Sequence, residues 1–370
     1  MSVDYSKYAP QFEVYINGEI DLNLNLRDSI NSIQVNDTLQ SAASFQFTIN
    51  DKFDVDKGEF VWFDNPILQP ENKISIKMGY ANKLFDLLLV GKIENISTTG
   101  FTQTSNPTVT VTGLDDIKKI LNDQPNSKDD TNNRELKGRD LIELFAKKYL
   151  SQNGSKLDVE TIESTKELPS EVTRNSANTY GDILADQAQR IGWTYFFTRG
   201  KVFYGNPRKK KEIAMKFEWG RDLLEFIPKI NTSCIKSKII VRSSHPTSRD
   251  SIEAEANAGT EDKIDDDGFT ASQIAEKRGL GPRDMEIITN DGHEAKIRAK
   301  AMLNQQGDNL VTVNCKIIGT PELEVGQMIQ INGVGKRFSG KYYVTSVTNR
   351  ISSSGYLTNF SIRSNVLRGM

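Results

Sequence analysis

The chain has 370 residues, 37% of them hydrophobic and 26% charged, and a formal net charge of −2. At roughly 150 residues per domain this is two or three domains with well-formed cores. The near-neutral charge argues against specific nucleic-acid binding, and no apolar run of about 18 residues is present to form a membrane segment. Two cysteines, Cys234 and Cys315, are too few for a disulfide framework, and both sit in strand-like segments as small core or half-buried residues. The opening MSVDYSKYAP has neither a basic n-region nor an apolar h-region, so synthesis in a cytoplasm without a signal peptide is expected.

Residues 12–115 alternate apolar and polar side chains in short runs, the pattern of half-buried strands. Strands are expected at Phe12–Ile20, Ile30–Thr38, Phe45–Asn50, Lys73–Gly79, Leu87–Ile96 and Val109–Gly113. Between them Asp51–Gln69 is a longer excursion carrying Phe53, Phe60, Trp62 and Phe63. Aromatics so dense in a loop either tuck under the β unit or face a partner, which makes Phe60, Trp62 and Phe63 candidate contacts.

After Gly113 the period changes. Ile117, Ile120 and Leu121 predict a short helix, Asn122–Asn133 a polar loop, and Leu141–Tyr149 an amphipathic helix closed by Asn153-Gly154. Ile183, Leu184, Ala188 and Ile191 predict a further helix, capped by Asn178 or Thr179 and stopped by Gly192. Trp193–Phe197 and Lys201–Tyr204 read as a hairpin. Arg208–Lys211 is a basic run, read as a solvated loop, with phosphate or acidic contact the alternative. Leu223–Val241 supplies the opening strands of a second β unit. His245–Asp291 is polar, with short helices expected around Ala271–Glu276 and Glu294–Asn304. Leu310–Arg363 then forms an antiparallel meander.

That meander has a faint copy near the other end. Ile74 and Ile76 align with Ile329 and Ile331, and Ile96–Phe101 with Ile351–Tyr356. The spacing from Ile76 to Gly100 equals that from Ile331 to Gly355. Upstream, Ile33–Asn36 aligns with Pro228–Asn231, and Ser44–Thr48 with Ser237–Val241. Two readings fit: one β unit used twice, or two meanders sharing a small vocabulary of strands and turns.

His245 and His293 show no zinc-ligand spacing with the cysteines, and no nucleophile elbow accompanies them. Lys263–Gly268 resembles the start of a calcium loop, but Lys263 and Ile274 stand where acidic ligands belong, so a solvated acidic turn is expected. Gly333-Val-Gly335-Lys336 and Gly279-Leu-Gly281-Pro282 lack the frames of a phosphate loop and a dinucleotide site. No catalytic, cofactor-binding or metal residues are assigned, and no cofactor is expected.

The stretch Val325–Arg363 resembles the C-terminal part of the phage late control protein D family, the baseplate hub of contractile tails. Thr179–Trp193 followed by Tyr195-Phe-Phe resembles another part of that family, and is similar to the base of type VI secretion spike proteins. The resemblance implies a mainly β fold with an α+β insertion and two similar β-barrel-like domains in one chain. The expected boundaries are 1–115 for the first, 116–205 for the insertion, 206–245 for the opening strands of the second, 246–307 for a polar excursion with short helices, and 308–370 for the remainder. The implied role is a non-enzymatic structural hub, a homotrimer joining a six-fold tail tube protein to a separate three-fold central spike protein beside other baseplate proteins. Such a hub is made in the bacterial cytoplasm and assembled into a virion tail or tail-like particle. With the chain ending just after the last strand, spike contact is expected at Ser364, Asn365, Val366, Leu367 and Arg368. The alternatives are a tail-tip peptidoglycan hydrolase, or a β-barrel protein binding oligosaccharide or nucleic acid.

Overall fold

The computed structural model describes residues 9–20, 24–81, 85–100, 106–123, 143, 147, 158–161, 179–244, 251–289 and 291–369. The helix expected over Leu141–Tyr149 (apart from Glu143 and Lys147, both helical), its stop at Asn153-Gly154, most of the loop Asn122–Asn133, and His245 lie outside them.

Alternation builds the first β unit. Its strands are β1 (Pro10–Ile16), β2 (Glu19–Ile20), β3 (Ile30–Thr38), β4 (Ser44–Asn50), the small hairpin β5 (Phe53–Asp54) and β6 (Glu59–Phe60), β7 (Lys73–Tyr80), β8 (Asp86–Thr98) and β9 (Thr108–Asp115). Every second residue points into one core: Phe45, Phe47 and Ile49 from β4, Val109 and Val111 from β9, Ile74 and Ile76 from β7. Helix α1 (Leu24–Ser29) adds Leu26.

The insertion follows with α2 (Ile117–Asn122), β10 (Asp158–Thr161), α3 (Tyr180–Ile191), β11 (Thr194–Thr198) and β12 (Lys201–Gly205). Thr179 and Asp182 close a capping box at the start of α3. Gly192 ends it at φ 71°, and a Cβ there would lie 3.0 Å from the backbone of Ala301, so both conformation and space ask for glycine.

The second β unit contains β13 (Ile213–Glu218), β14 (Leu223–Ile230), β15 (Ile239–Ser244), β16 (Ser251–Ala256), β17 (Phe269–Thr270), α4 (Ala271–Lys277), β18 (Arg283–Glu286), α5 (Gly292–Gly307), β19 (Val311–Ile318), β20 (Met328–Asn332), β21 (Gly340–Ser352), β22 (Gly355–Ser364) and β23 (Val366–Leu367). Its main sheet runs β14-β19-β22-β21-β20-β13, and the first unit runs β3-β4-β9-β8-β7-β1. In chain order these are the same six strands in the same places. Gly100 and Gly355 occupy the same turn, between the fifth strand and the sixth. The two orders differ in one sense of direction: β1 lies antiparallel to β7, whereas β13 lies parallel to β20. One β unit is therefore used twice, and the fold is mainly β with two similar barrel-like units.

Part of the alignment is corrected. Ser237–Val241 is not the counterpart of Ser44–Thr48, because β15 belongs to a separate sheet ordered β16-β15-β18. Strand β19 takes that place. The mistake is physical in origin: the excursion between β14 and β19 carries its own strand, covered by α5 through Ala295, Ala299 and Leu303. Strand-like residues alone do not say which sheet they join.

Three smaller expectations also change. Arg208 is no solvated loop residue; its side chain is 1% exposed, ion-paired with Asp308 and donating to the Gly192 carbonyl at 3.2 Å. Cys234 is exposed, while Cys315 is buried and its thiol is pushed up to about 12 by that burial. Asp265 in the acidic turn is 3% exposed and accepts the Lys341 amide at 2.9 Å.

The two units share one continuous sheet. The first half of β21 pairs with β20, and its second half pairs with β3 of the first unit, Ser346 opposite Thr38 through Ile351 opposite Ile33. Ile351 and Tyr356 enter the first core, where the Tyr356 ring lies 5.6 Å from that of Tyr80. Tyr80 donates to the Gly319 carbonyl at 2.8 Å. Gly319 has no room for more, since a Cβ would sit 2.1 Å from the Tyr356 ring.

Two carboxyl groups near this frame are held away from water. Burial pushes Asp115 up to about 7 and Asp37 up to about 6; Asp115 accepts the Ile117 amide at 2.9 Å and Asp37 the Thr198 hydroxyl at 2.7 Å. Both folded values lie above the unfolded value of about 3.9, so the folded state binds these protons more tightly. Their contribution is full below about pH 4 and is lost as pH rises through about 6 and 7. Asp115→Asn keeps an acceptor for Ile117 and removes the charge. Thermal melts from pH 4 to pH 8 are expected to show this variant above wild type at pH 8, with the difference closing near pH 4.

Candidate assembly surfaces

The aromatic excursion is folded onto the first unit. Trp62 is a core residue at 7% exposure, and Phe63 is half-buried against the same core. Phe60 packs edge-on to Phe53 at 5.2 Å and to Phe63 at 6.0 Å. The large apolar side chains this segment presents to solvent are Val55 and Val61, at 83% and 45% exposure. Trp62 is therefore withdrawn as a partner-facing residue.

The residue that docks the excursion was not singled out from sequence. Asp51, 1% exposed, accepts the amides of Trp62 at 2.9 Å and Phe63 at 3.1 Å, besides that of Lys52 at 2.8 Å. Its position at the end of a strand, before an aromatic loop, is the kind of place where a carboxylate caps backbone donors.

The C-terminal candidates are likewise part of the chain's own packing. Ser364, Asn365, Val366 and Leu367 are all buried. Strand β23 pairs with β17. Asn365 accepts the Ile264 amide at 2.9 Å and donates to the Asp262 carbonyl at 2.6 Å. Arg368, partly exposed, is ion-paired with Asp265 and donates to the Ser339 carbonyl at 2.8 Å. Removing Ser364–Arg368 would unlatch the polar excursion, so these residues do not form a separable docking tail. They are withdrawn as an independent spike contact.

A second surface does cross both units. On the face away from the cores, β3 presents Ser32, Gln34 and Asn36, β4 Gln46 and Thr48, β9 Thr110 and Thr112, and β8 Asn95 and Ser97. Across the joint it continues with Thr348 on β21, Asn359 and Ser361 on β22, and Asn314 on β19. These side chains bond to one another: Ser32 with Thr48 at 2.9 Å, Gln34 to Asn36 at 2.9 Å, Ser361 to Asn314 at 2.9 Å. Charge on it is sparse: Arg350 of β21 stands opposite Gln34, Lys229 of β14 opposite Thr312, and Glu225 and Lys316 form an ion pair. Soluble strands commonly show Lys or Glu at such positions, which discourage edge and face contacts. Here uncharged hydrogen-bonding side chains outnumber charged ones across the whole face. The signal was visible in runs such as Ser-Phe-Gln-Phe-Thr and Thr-Val-Thr-Val-Thr. Only the joining of the units makes it one surface.

His293 lines a cleft of about 550 Å³ with Trp193, Asn206, Glu255, Asp262 and Lys300. Its acids are held by cations, Asp262 by Lys300 at 2.8 Å and Glu255 by Lys238 at 2.7 Å. Burial pushes Asp262 up, but its bonds from Lys300 and Asn206 bring it below the ordinary carboxylate range. A general acid for glycosidic cleavage needs the opposite shift.

A family described as the Alg8 N-terminal domain matches residues 7–353. The chain belongs to this family. No curated protein matches the chain. Among solved structures, the 43 kDa tail protein of prophage MuSo2 from Shewanella oneidensis superposes with a TM-score of 0.70 at 12% identity, over 96% of this chain and 98% of that one. The tail protein from Neisseria meningitidis MC58 does so at 0.68 and 14% identity, over 97% of both chains. An Escherichia coli component of the type VI secretion system, described as structurally similar to the T4 bacteriophage tail proteins gp27 and gp5, reaches 0.55 at 8% identity, over 96% of this chain and 79% of that one. The likeness to tail and type VI secretion proteins expected from the sequence holds at the level of the fold.

The docking of the excursion can be tested directly. Asp51→Ala leaves the buried amides of Trp62 and Phe63 without their acceptor, and hydrogen bonds to a charged group contribute about 1.5–3 kcal/mol each. Denaturant unfolding is expected to show a loss of about 2–4 kcal/mol, below the simple sum because water reaches the loosened loop. Asp51→Asn, which keeps one acceptor oxygen, should lose less.

Proposed function

We propose that this protein is the structural hub of a contractile tail or tail-like injection particle, three copies of which adapt a six-fold tail tube to a three-fold central spike. The observation that carries the reading is the doubled β unit. Two units with one strand order, fused side by side, give three chains six similar faces and keep true three-fold symmetry for the spike. A hub with one unit per chain would need six copies to meet the same tube. Closed rings are the common symmetric solution for such assemblies. The fold shared with phage tail proteins supports a place in the tail. The partners are a tail tube protein, a separate spike protein and neighbouring baseplate proteins. The chain would be made in the bacterial cytoplasm and assembled there into the particle. The role rests on shape and on contacts between copies, with no catalytic step.

Native mass spectrometry of the hub purified in complex with its spike is expected to give three hub chains per tip. Six hub chains per tip would exclude the reading.

A further inference from the structure

The joint inside one chain has a counterpart with no partner. By the shared strand order, β21 corresponds to β8 and β3 to β14. The second half of β21 pairs with β3. The equivalent second half of β8, Glu94–Thr98, is paired with β9 along one edge, while β7 reaches only to Lys92 on the other. Among the described residues no strand continues along that edge. Strand β14 is in the same position. It pairs with β19 and ends the sheet order, with no strand among the described residues on its far side.

We propose that the free half-edge of β8, Glu94–Thr98, pairs antiparallel with the free edge of β14 in a second copy of this chain, as β21 pairs with β3 within one copy. This rests on the trimeric hub reading and names the surface that would build it. Repeated head to tail, the pairing alternates the two units around a ring and covers both of these edges.

Three further observations favour a second copy as the occupant. Exposed large apolar side chains gather at this end of the second unit: Trp219 at 50%, Leu224 at 49% and Ile227 at 59%. An exposed edge strand with apolar side chains is a template for pairing. Opposite charges stand at the two edges, Glu94 on β8 and Lys229 on β14, both exposed. The backbone of β14 also has groups to offer. Asn231 donates to Leu310 beside β19, so by alternation Phe226, Pro228 and Ile230 turn their backbone groups to the free side. Pro228 lacks a donor there but keeps its carbonyl, which removes one bond from the edge without closing it. Pairing also brings Asn95 and Ser97 of one copy beside the outer face of β14 in the next, so the polar face becomes continuous from copy to copy.

The test uses the full chain with Cys234→Ser, so that no exposed native thiol remains. Asn95→Cys or Ser97→Cys is combined with Ile227→Cys or Lys229→Cys, four pairs that span the antiparallel registers of these two edges. Mild oxidation is expected to give covalent dimers and trimers from at least one pair, and none from the single variants. Ile227→Asp, which puts a carboxylate in the seam, is expected to abolish ring formation while leaving the far-UV circular dichroism unchanged. A three-copy ring in which all four pairs stay uncoupled would overturn the edge pairing and leave the hub reading standing. Coupling of these positions to tube or spike protein would assign the edges to another partner and overturn it too. A chain that stays monomeric in complex with the spike would remove both.

Discussion

Strand β21 carries two partners along one edge, and most of the molecule depends on that change. Gly340–Tyr343 belong to the hairpin with β20, and Ser346–Ile351 belong to β3 of the other unit. Between them the register against β22 shifts at Val344–Ser346. Such a bulge sharpens the local twist, which lets a long strand leave one sheet and enter another without breaking its ladder. The pairing also removes an exposed edge from each unit, an arrangement open edges would otherwise leave prone to aggregation. The core follows the joint: Ile351 and Tyr356 are sequence neighbours of the second unit but pack in the first.

The insertions obey a common rule. Each leaves the repeated strand framework at a turn and is tied back by a buried polar side chain that accepts or donates to backbone. Asp51 does this for the aromatic loop. Asn365, with Arg368 ion-paired to Asp265, does it for the polar excursion. Arg208 holds the link between insertion and second unit through Asp308 and Gly192. Apolar burial alone is non-directional, whereas these contacts specify where a loop docks. Among the described residues this leaves a largely polar face across both units, and open strand edges that include the second half of β8 and β14.

Local elements were legible in the sequence because their causes are local. Ile30–Thr38 reads as a strand from its alternation, α3 from its apolar spacing, its Thr179 cap and Gly192, and the hairpin after Trp193 from Arg199-Gly200. The repeat was legible too, since the isoleucine pairs and the turns at Gly100 and Gly355 are set by the same framework. What failed were statements about partners. Ser237–Val241 looks like a framework strand yet joins another sheet, Trp62 was open to a core or a partner and lies in a core, and Arg208 looks solvated yet is enclosed.

The sequence by itself therefore determined the kind of elements and their order, and offered two similar β units as one of two readings, because periodicity, caps and glycine turns act over a few residues. Only the tertiary structure decided which strands pair, that the units fuse through β21 and β3, and that the C-terminal residues are latched inside the chain. Those outcomes depend on residues far apart in the chain, such as Tyr80 with Gly319 or Asp37 with Thr198. A strand's own pattern says that it has two edges and one buried face, and leaves open what will lie against them.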